Sequence, residues 1–355
     1  MILVTGGAGF IGSNFVLNWL SEIKEPIVNV DKLTYAGNLS NLALVEKVNH
    51  YFIRGDICDK ELLLAILKKY QPRAIIHFAA ESHVDRSIHG PSEFIKTNIE
   101  GTFNLLEISR NYWTNLTGEG KKNFRFLHVS TDEVFGSLSY SDSPFTEKSP
   151  YLPNSPYSAS KASSDHLVRA WFHTYGLPIL IGNCSNNYGP FQFPEKLIPL
   201  MILNALSGKK LPIYGDGKQI RDWLYVIDHC NALQKILFEG IPGETYNIGG
   251  QNEKTNLSVV IKICDLLDKL SPGKNSYKDQ IIFIKDRPGH DIRYAINSKK
   301  IVDKLNWVPK ENFDTGIEKT VNWYLQNKQW INKIISGDYL KWMDKNYESD
   351  SIGGF

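Results

Sequence analysis

The chain of 355 residues is long enough to bury a large core, either as one elaborated domain or as two modest lobes. Its 40 basic and 38 acidic residues leave a formal charge of +2, which excludes a global electrostatic attraction to nucleic acid or to an anionic membrane. The four cysteines are scattered without a C-x-x-C pair, so neither a metal site nor a disulfide framework is predicted.

The distribution of apolar residues indicates where in the cell the protein is located. The sequence begins with a buried-strand pattern instead of a basic region followed by a long apolar stretch. No later window approaches eighteen consecutive apolar residues, the length that a membrane-spanning helix needs. We expect a cytoplasmic protein that binds neither membrane nor nucleic acid.

Short apolar runs alternate with longer helical patterns over the first 130 residues. This alternation predicts an α/β fold with a doubly wound parallel sheet of the Rossmann type. Strands are predicted at residues 2–4, 27–30, 51–53, 74–78 and 124–129, and helices near 11–22, 60–69, 93–113 and 157–175.

Past about residue 180 the elements become shorter and the turns become rich in Gly, Pro and Asn, which indicates a second, smaller α/β lobe over the carboxyl edge of the sheet. We expect a dinucleotide-binding domain over residues 1–182, with a return of the chain to it near 222–248. The second lobe is expected over residues 183–330, followed by a C-terminal extension over 331–355.

Three glycines follow the first predicted strand and open the first helix, at Gly6, Gly9 and Gly12. In this context, backbone amides and the helix N-terminus can approach a pyrophosphate closely. Asp31 ends the second predicted strand, where a carboxylate can accept hydrogen bonds from both ribose hydroxyls and would repel a 2′-phosphate. We therefore predict NAD instead of NADP. The alternative is a glycine-rich turn with a solvent-facing Asp31.

Tyr157 and Lys161 stand at positions i and i+4 of a predicted helix and therefore share one face. An ammonium near a phenol favours the phenolate and lowers a pKa that is ordinarily about 10. Such a phenolate can take a proton from a sugar hydroxyl while hydride leaves the same carbon. By spacing alone, the pair could equally be a surface tyrosine and a solvated lysine.

Thr131, Asp132 and Glu133 follow one another where the fifth predicted strand ends. They place a hydroxyl, an acid and a base at the edge of the sheet where ligands of this fold bind. The alternative interpretation is that the two carboxylates cap a loop.

The glycines, Asp31 and the pair of Tyr157 and Lys161 resemble the extended short-chain dehydrogenase/reductase superfamily. Within it, longer strings resemble the sugar-nucleotide 4,6-dehydratases, in particular those that act on dTDP-glucose, across about residues 1 to 320. The strings are AAESHVDRS (79–87), STDEVFG (130–136), CSNNYGP (184–190), RDWLYV (221–226) and DRPGHD (286–291). Sugar-nucleotide epimerases share the general pattern but usually lack consecutive Asp and Glu after the catalytic hydroxyl.

The resemblance implies oxidation of the hexose at C4 by NAD, loss of water across C5 and C6, and return of hydride to C6. It makes Glu133 the base at C5, Asp132 the acid at C6, and Thr131 a hydrogen-bond partner of the C4 oxygen beside Tyr157. Two acidic groups in different protonation states are needed. The product would be the 4-keto-6-deoxy sugar that leads to 6-deoxysugars such as rhamnose.

The resemblance also implies a tightly bound NAD that is regenerated in each turnover, and it assigns residues to both ligands. The residues assigned to NAD are Gly6, Gly9, Phe10, Ile11, Gly12, Asp31, Lys32, Thr34, Asp56, Ile57, Phe78, Ala79, Ala80, Thr97, Tyr157, Lys161 and Asn187. The residues assigned to the sugar nucleotide are Ser82, Thr131, Asn186, Lys196, Leu197, Tyr214, Arg221, Asn256, Arg287 and His290.

Several alternatives remain. A 4-epimerase would use the same glycines and tyrosine–lysine pair without a C5 base, a dehydratase could act on another NDP-hexose, and a non-enzymatic dinucleotide sensor could share the fold. His77 is interpreted as buried sheet, and His83 as either a structural group or a ligand contact. Members of the family that this chain resembles usually carry an arginine before the CSNN run, where this chain has Asn183. The local packing and the nucleotide contacts of this chain are therefore expected to differ from theirs at this position.

The helices over 93–113 and 157–175 carry apolar and aromatic residues on more than one face. In the families that this chain resembles, such helices pair across a two-fold axis, so a homodimer is predicted. The same bulky residues could instead pack within one subunit.

Overall fold

The structure is a computed structural model that describes residues 1–45, 49–286 and 289–335. Its strands are β1 (Ile2–Thr5), β2 (Ile27–Asp31), β3 (His50–Arg54), β4 (Ala74–His77), β5 (Arg125–Thr131), β6 (Ile179–Cys184), β7 (Asn186–Tyr188), β8 (Leu211–Tyr214), β9 (Ile220–Tyr225), β10 (Thr245–Ile248), β11 (Glu253–Thr255) and β12 (Ile281–Ile284).

Seven of these strands form one parallel sheet in the order β10-β6-β5-β4-β1-β2-β3. Strands β1, β2, β4 and β6 are buried along their whole length, which explains why they are continuous apolar runs and not alternating patterns. The order reverses between β1 and β4, and this switch point opens a crevice at the carboxyl ends of the strands. The predicted Rossmann-type α/β fold is confirmed.

Helices cover both faces of this sheet and build the second lobe. They are α1 (Phe10–Glu22), α2 (Lys60–Tyr70), α3 (Val84–His89), α4 (Ser92–Phe94), α5 (Thr102–Asn115), α6 (Gly118–Asn123), α7 (Pro156–Tyr175), α8 (Leu197–Leu206), α9 (Val226–Glu239), α10 (Asn256–Leu270), α11 (Lys299–Leu305), α12 (Phe313–Gln326) and α13 (Lys328–Ile335).

Two apolar cores lie on the two faces of the sheet. One core joins the sheet to α1, α9 and α11, and the other joins it to α2, α5 and α7. Between α4 and α5 the chain forms a π-helical segment over Ile95–Gly101, where the sequence predicted an uninterrupted helix. Segments of this kind are frequent at functional sites.

The second lobe has its own core, built from α8, α10, α12 and α13 around two small sheets. One sheet has the order β11-β9-β7, and the other pairs β8 with β12. The chain re-enters the large sheet when β10 pairs with β6, and α9 packs against α1 on the way. The second lobe thus lies beside the switch point, where it forms the other wall of the crevice.

Candidate active site

A single cleft at the carboxyl ends of the strands gathers most of the predicted site residues. Both walls contribute: the loops after β1, β2, β4 and β5, the helix α7, and the segment between β7 and α8. Predicted residues that line it are Gly6, Gly9, Phe10, Ile11, Gly12, Asp31, Lys32, Thr34, Asp56, Ile57, Phe78, Ala79, Ala80, Ser82, Thr97, Thr131, Asp132, Glu133, Tyr157, Lys161, Asn186, Asn187 and Lys196.

The glycine turn after β1 is closed too tightly for side chains. Gly6 has φ +75°, and a Cβ there would lie 2.5 Å from the Ala79 nitrogen; a Cβ on Gly12 would lie 2.2 Å from the Gly6 oxygen. Among the described residues, no side chain caps the start of α1 at Gly9. The first amides of this helix therefore face the cleft, which fits the pyrophosphate of a dinucleotide.

Asp31 is placed by backbone amides at the end of β2. Its carboxylate accepts from the Ala8 nitrogen at 2.9 Å and from the Leu33 nitrogen at 2.8 Å. Burial raises the pKa of this carboxyl, and both hydrogen bonds oppose that shift. Nearby, Lys32 pairs with Asp56 at 2.9 Å and ties the loop after β2 to the loop after β3. A negative charge at the end of β2 suits a ribose diol and disfavours a 2′-phosphate.

Thr131 and Asp132 form a buried pair where β5 passes into a short helical turn. Thr131 Oγ1 accepts from the Glu133 nitrogen at 3.2 Å and donates to Asp132 Oδ1 at 3.3 Å. Asp132 is 1% exposed, and its Oδ2 has no hydrogen-bond partner among the described residues. Burial and the charge of Glu133 raise the pKa of Asp132 well above its ordinary value. The raised pKa favours the protonated form of Asp132, whose side chain lines the cleft.

Tyr157 and Lys161 lie one turn apart on α7, as predicted, and both are buried. A capping box at Ser155 and Pro156 in the first turn fix where this helix begins. Lys161 Nζ donates to the Val129 oxygen at 2.9 Å, which holds the ammonium against β5 beneath the site.

The direction of the Tyr157 pKa differs from the sequence expectation. Burial and the Glu133 charge raise it well above the ordinary value, while the Thr131 side chain lowers it through a hydrogen bond. Burial also lowers the pKa of Lys161. In the protein alone, desolvation of the phenolate outweighs the ammonium that the i, i+4 spacing brings near it.

A buried polar network that the sequence reasoning missed supports this pair from below. Asp165, one further turn along α7, accepts from Ser130 Oγ at 2.8 Å and lies 3.2 Å from His128 Nε2. The same His128 nitrogen lies 3.4 Å from Lys161 Nζ, and Asn183 Nδ2 lies 3.3 Å from Asp165 Oδ2. The continued four-residue spacing of Tyr157, Lys161 and Asp165 was the signal that could have revealed it.

Comparison with known proteins decides between the candidate families. The family model described as GDP-mannose 4,6 dehydratase matches residues 3–320. The dTDP-glucose 4,6-dehydratase of Salmonella typhimurium is 59% identical over 356 residues, covering 98% of this chain and 99% of that protein. The chain belongs to the dTDP-glucose 4,6-dehydratase family.

Solved structures agree with this family. The dTDP-glucose 4,6-dehydratase of Streptomyces venezuelae, with NAD and TYD bound, is 44% identical with a TM-score of 0.85, covering 93% of this chain and 98% of that one. A UDP-glucose 4-epimerase from Thermotoga maritima has a TM-score of 0.81 at only 28% identity, covering 92% and 99% of the two chains. Epimerases thus share the fold as more distant relatives.

Some of the residues predicted to bind the sugar nucleotide do not line the cleft. Lys196 Nζ donates to the Ser82 oxygen at 2.8 Å, which brings those two together at one rim. Arg221 lies on β9, donates to the Asp291 oxygen at 3.0 Å, and lowers the pKa of Asp132 through its charge. Arg287 lies outside the described residues.

The remaining predicted substrate residues lie in the second lobe. Tyr214 ends β8 and packs edge-on against His290 with ring centroids 6.1 Å apart. His290 Nδ1 lies 2.6 Å from Asp286 Oδ1. Leu197 and Asn256 are the first residues of α8 and α10. None of these four is among the residues that line the described cleft.

The two histidines singled out in the sequence have different surroundings. His77 is buried in β4 and contacts Thr5 Oγ1 at 2.8 Å and Thr102 Oγ1 at 3.0 Å, so its interpretation as buried sheet is confirmed. His83 precedes α3, where its Nδ1 accepts from the Arg86 nitrogen at 3.3 Å, and its Nε2 lies 3.7 Å from Glu195.

Within residues 1–45, 49–286 and 289–335, no group of three or more His, Cys, Asp or Glu is arranged to hold a metal ion. Over the same part of the chain, no helix combines the length and the apolar character needed to cross a membrane.

Proposed function

We propose that this member of the family converts dTDP-glucose to dTDP-4-keto-6-deoxyglucose, as an NAD-dependent hydro-lyase. The observation that carries the proposal is the placement of Asp132 and Glu133 at the end of β5, in one cleft with Tyr157 and Lys161. A dehydratase needs one group that holds a proton and one that can accept a proton. The raised pKa of Asp132 supplies the first.

The proposed roles follow from the order of the proton transfers. Tyr157, hydrogen-bonded with Thr131, takes the proton of the C4 hydroxyl as a phenolate, a form that the positive charge of a bound oxidised nicotinamide would favour against the raised pKa of the protein alone. Glu133 removes the C5 proton that a ketone at C4 has made acidic. Asp132 then gives its proton to the C6 oxygen through Oδ2, which has no hydrogen-bond partner among the described residues, and water leaves. Glu133 returns its proton to C5, and the proton that Tyr157 took from the C4 hydroxyl replaces the one that Asp132 gave to water, so each group ends as it began.

NAD, when bound, accepts hydride from C4 and returns it to C6. The glycine turn and the start of α1 would hold its pyrophosphate, and Asp31 its adenosine ribose. Lys161 would hold the nicotinamide ribose. Because the same hydride must return, the cofactor should stay bound throughout the turnover and should copurify with the protein.

We propose dTDP as the nucleotide of the substrate because the chain is highly identical to dTDP-glucose 4,6-dehydratases. Lys196, Ser82 and Asn186 would contact the sugar nucleotide in the cleft, and Arg221 and Arg287 would supply charge for the diphosphate. A 4-epimerase is the alternative activity; the consecutive Asp132 and Glu133 have no role in such a reaction and weigh against it.

We further propose that the protein is a cytoplasmic homodimer and that its product is an intermediate in the biosynthesis of a 6-deoxysugar. Exposed apolar side chains on or beside the helices predicted to pair support the dimer: Ile95 is 50% exposed and Phe103 is 37% exposed. Exposed apolar side chains of this kind are suited to burial against a second copy of the chain. Light scattering at micromolar concentration would test this, and a monomer there would contradict it.

The preference for dTDP is tested by giving dTDP-glucose, UDP-glucose and GDP-mannose separately to the purified protein. We expect dTDP-glucose to lose one water and to give the alkali-induced absorbance of a 4-keto sugar at the highest kcat/KM. Faster turnover of GDP-mannose or UDP-glucose would overturn the dTDP assignment. An isomer of unchanged mass would overturn the dehydratase.

A further inference from the structure

The loop after β2 is attached to the opposite wall of the cleft, although it belongs to the dinucleotide-binding half. Its residues Lys32 and Thr34 line the cleft, while Tyr35 packs against the core of the second lobe. Farther along the same stretch, Asn41 Oδ1 accepts from the Trp330 indole at 2.7 Å. The chain therefore bridges the two lobes directly after the carboxylate of Asp31.

The centre of this bridge is a contact between Tyr35 and Glu195. The Tyr35 hydroxyl donates to Glu195 Oε1 at 3.1 Å, and the Tyr35 ring meets Phe193 edge-on with centroids 5.6 Å apart. Glu195 is 6% exposed and lies in the segment that ends in Lys196. Burial raises the pKa of Glu195 to about 7, and the hydrogen bond from Tyr35 opposes that shift.

Arg86 contacts both Tyr35 and Glu195. Its guanidinium carbon lies 3.4 Å from the centroid of the Tyr35 ring, and its Nε lies 3.6 Å from Glu195 Oε2. The cation therefore interacts with both the ring face and the carboxylate. We call Tyr35, Arg86 and Glu195 the clasp.

We propose that the clasp retains the dinucleotide, so that cofactor exchange requires the contact between Tyr35 and Glu195 to break. Residues on both sides of the contact line the cleft: Thr34 and Ala36 flank Tyr35, and Lys196 follows Glu195. A cofactor held by Asp31 and the glycine turn would have to leave past them. The proposal rests on the proposed function only in that the cleft binds NAD. Retention would serve a reaction in which the hydride removed in one step is returned in another.

The test measures how fast bound NAD exchanges with isotopically labelled NAD, by native mass spectrometry and without any sugar nucleotide. Tyr35→Phe removes one hydroxyl and keeps the ring against Phe193. We expect roughly tenfold faster exchange, the change that corresponds to the loss of one hydrogen bond. The matched control is Tyr140→Phe, since Tyr140 is 61% exposed. An unchanged rate for Tyr35→Phe would overturn the proposal.

A double-mutant cycle with Glu195→Ala shows whether the two residues act through each other. In the Glu195→Ala background, the change Tyr35→Phe should have little further effect on exchange. An equal effect in both backgrounds would mean that the hydroxyl acts through another partner, and it would overturn the clasp. Because no sugar nucleotide is present, failure to dehydrate dTDP-glucose would refute the proposed function while leaving the exchange result intact.

Discussion

The Asp132 carboxyl is buried and its pKa is raised partly by the charge of Glu133, the next residue in the chain. The two adjacent carboxyl groups therefore differ in burial, and the burial of Asp132 favours its protonated form. Glu133 is half-buried, whereas Asp132 is buried and its Oδ2 has no hydrogen-bond partner among the described residues. This asymmetry is what separates the proposed acid from the proposed base.

Replacing Asp132 by Asn should stop the reaction after oxidation. The amide cannot protonate the C6 oxygen, so kcat for dehydration should fall by about 10²-fold or more. Reduced cofactor should then accumulate on addition of dTDP-glucose, visible as nicotinamide absorbance. Asp303→Asn is the matched control, because the Asp303 side chain is 50% exposed in a surface ion pair. Parental dehydration by Asp132→Asn would contradict the assigned role.

The same substitution should stabilise the protein in a pH-dependent manner. Since burial raises the pKa of Asp132, the folded protein keeps a proton that the unfolded chain releases above about pH 4. The free energy of unfolding therefore decreases as the pH rises from the unfolded pKa towards the folded pKa. Asp132→Asn removes this loss, so its Tm should exceed that of the parent near pH 8 and approach it near pH 4. A Tm difference between variant and parent that is larger near pH 4 than near pH 8 would contradict this prediction.

Tyr157→Phe should prevent the first step instead of the second. Without the phenol, the C4 hydroxyl has no proton acceptor, and kcat should fall by about 10²- to 10⁴-fold. Unlike Asp132→Asn, this variant should show no accumulation of reduced cofactor with dTDP-glucose, although it should still carry NAD. The exposed Tyr140 again provides the control. Rapid cofactor reduction by Tyr157→Phe would assign the proton transfer to another group.

Gly12→Ala should impair cofactor binding through sterics alone. Its Cβ would lie 2.2 Å from the Gly6 oxygen, so the turn that faces the pyrophosphate must shift. We expect loss of most copurifying NAD, measured by absorbance of the extracted nucleotide. Gly120→Ala in α6 is the control, because a Cβ there meets no described atom within 4 Å. That change should be neutral or stabilising by about 0.5–1 kcal/mol. Full NAD occupancy in Gly12→Ala would contradict this account of the turn.

Local sequence signals predicted the elements that carry most of the site. Buried parallel strands are unbroken apolar runs, and the glycine turn and Asp31 are contiguous with two of them, so both could be recognised from their context. The π-helical segment at Ile95–Gly101 was not predicted, because its residues have the same apolar spacing as an ordinary helix.

Features that depend on distant contacts could not be predicted. Glu195 meets Tyr35 across 160 positions of sequence, and no spacing rule connects them. The direction of the Tyr157 pKa was missed for the same reason, since the extent of burial is a property of the folded protein. Asp165 is the exception: it continues the spacing of Tyr157 and Lys161 and could have been found.

The most direct test of the central claim follows one atom, with dTDP-glucose that carries deuterium at C4. If Tyr157, Asp132 and Glu133 act as proposed, the product will have lost one water, and the deuterium removed from C4 will be found at C6 by mass spectrometry and NMR. Deuterium that returns to C4 in a sugar of unchanged mass would mean epimerisation and would contradict the account.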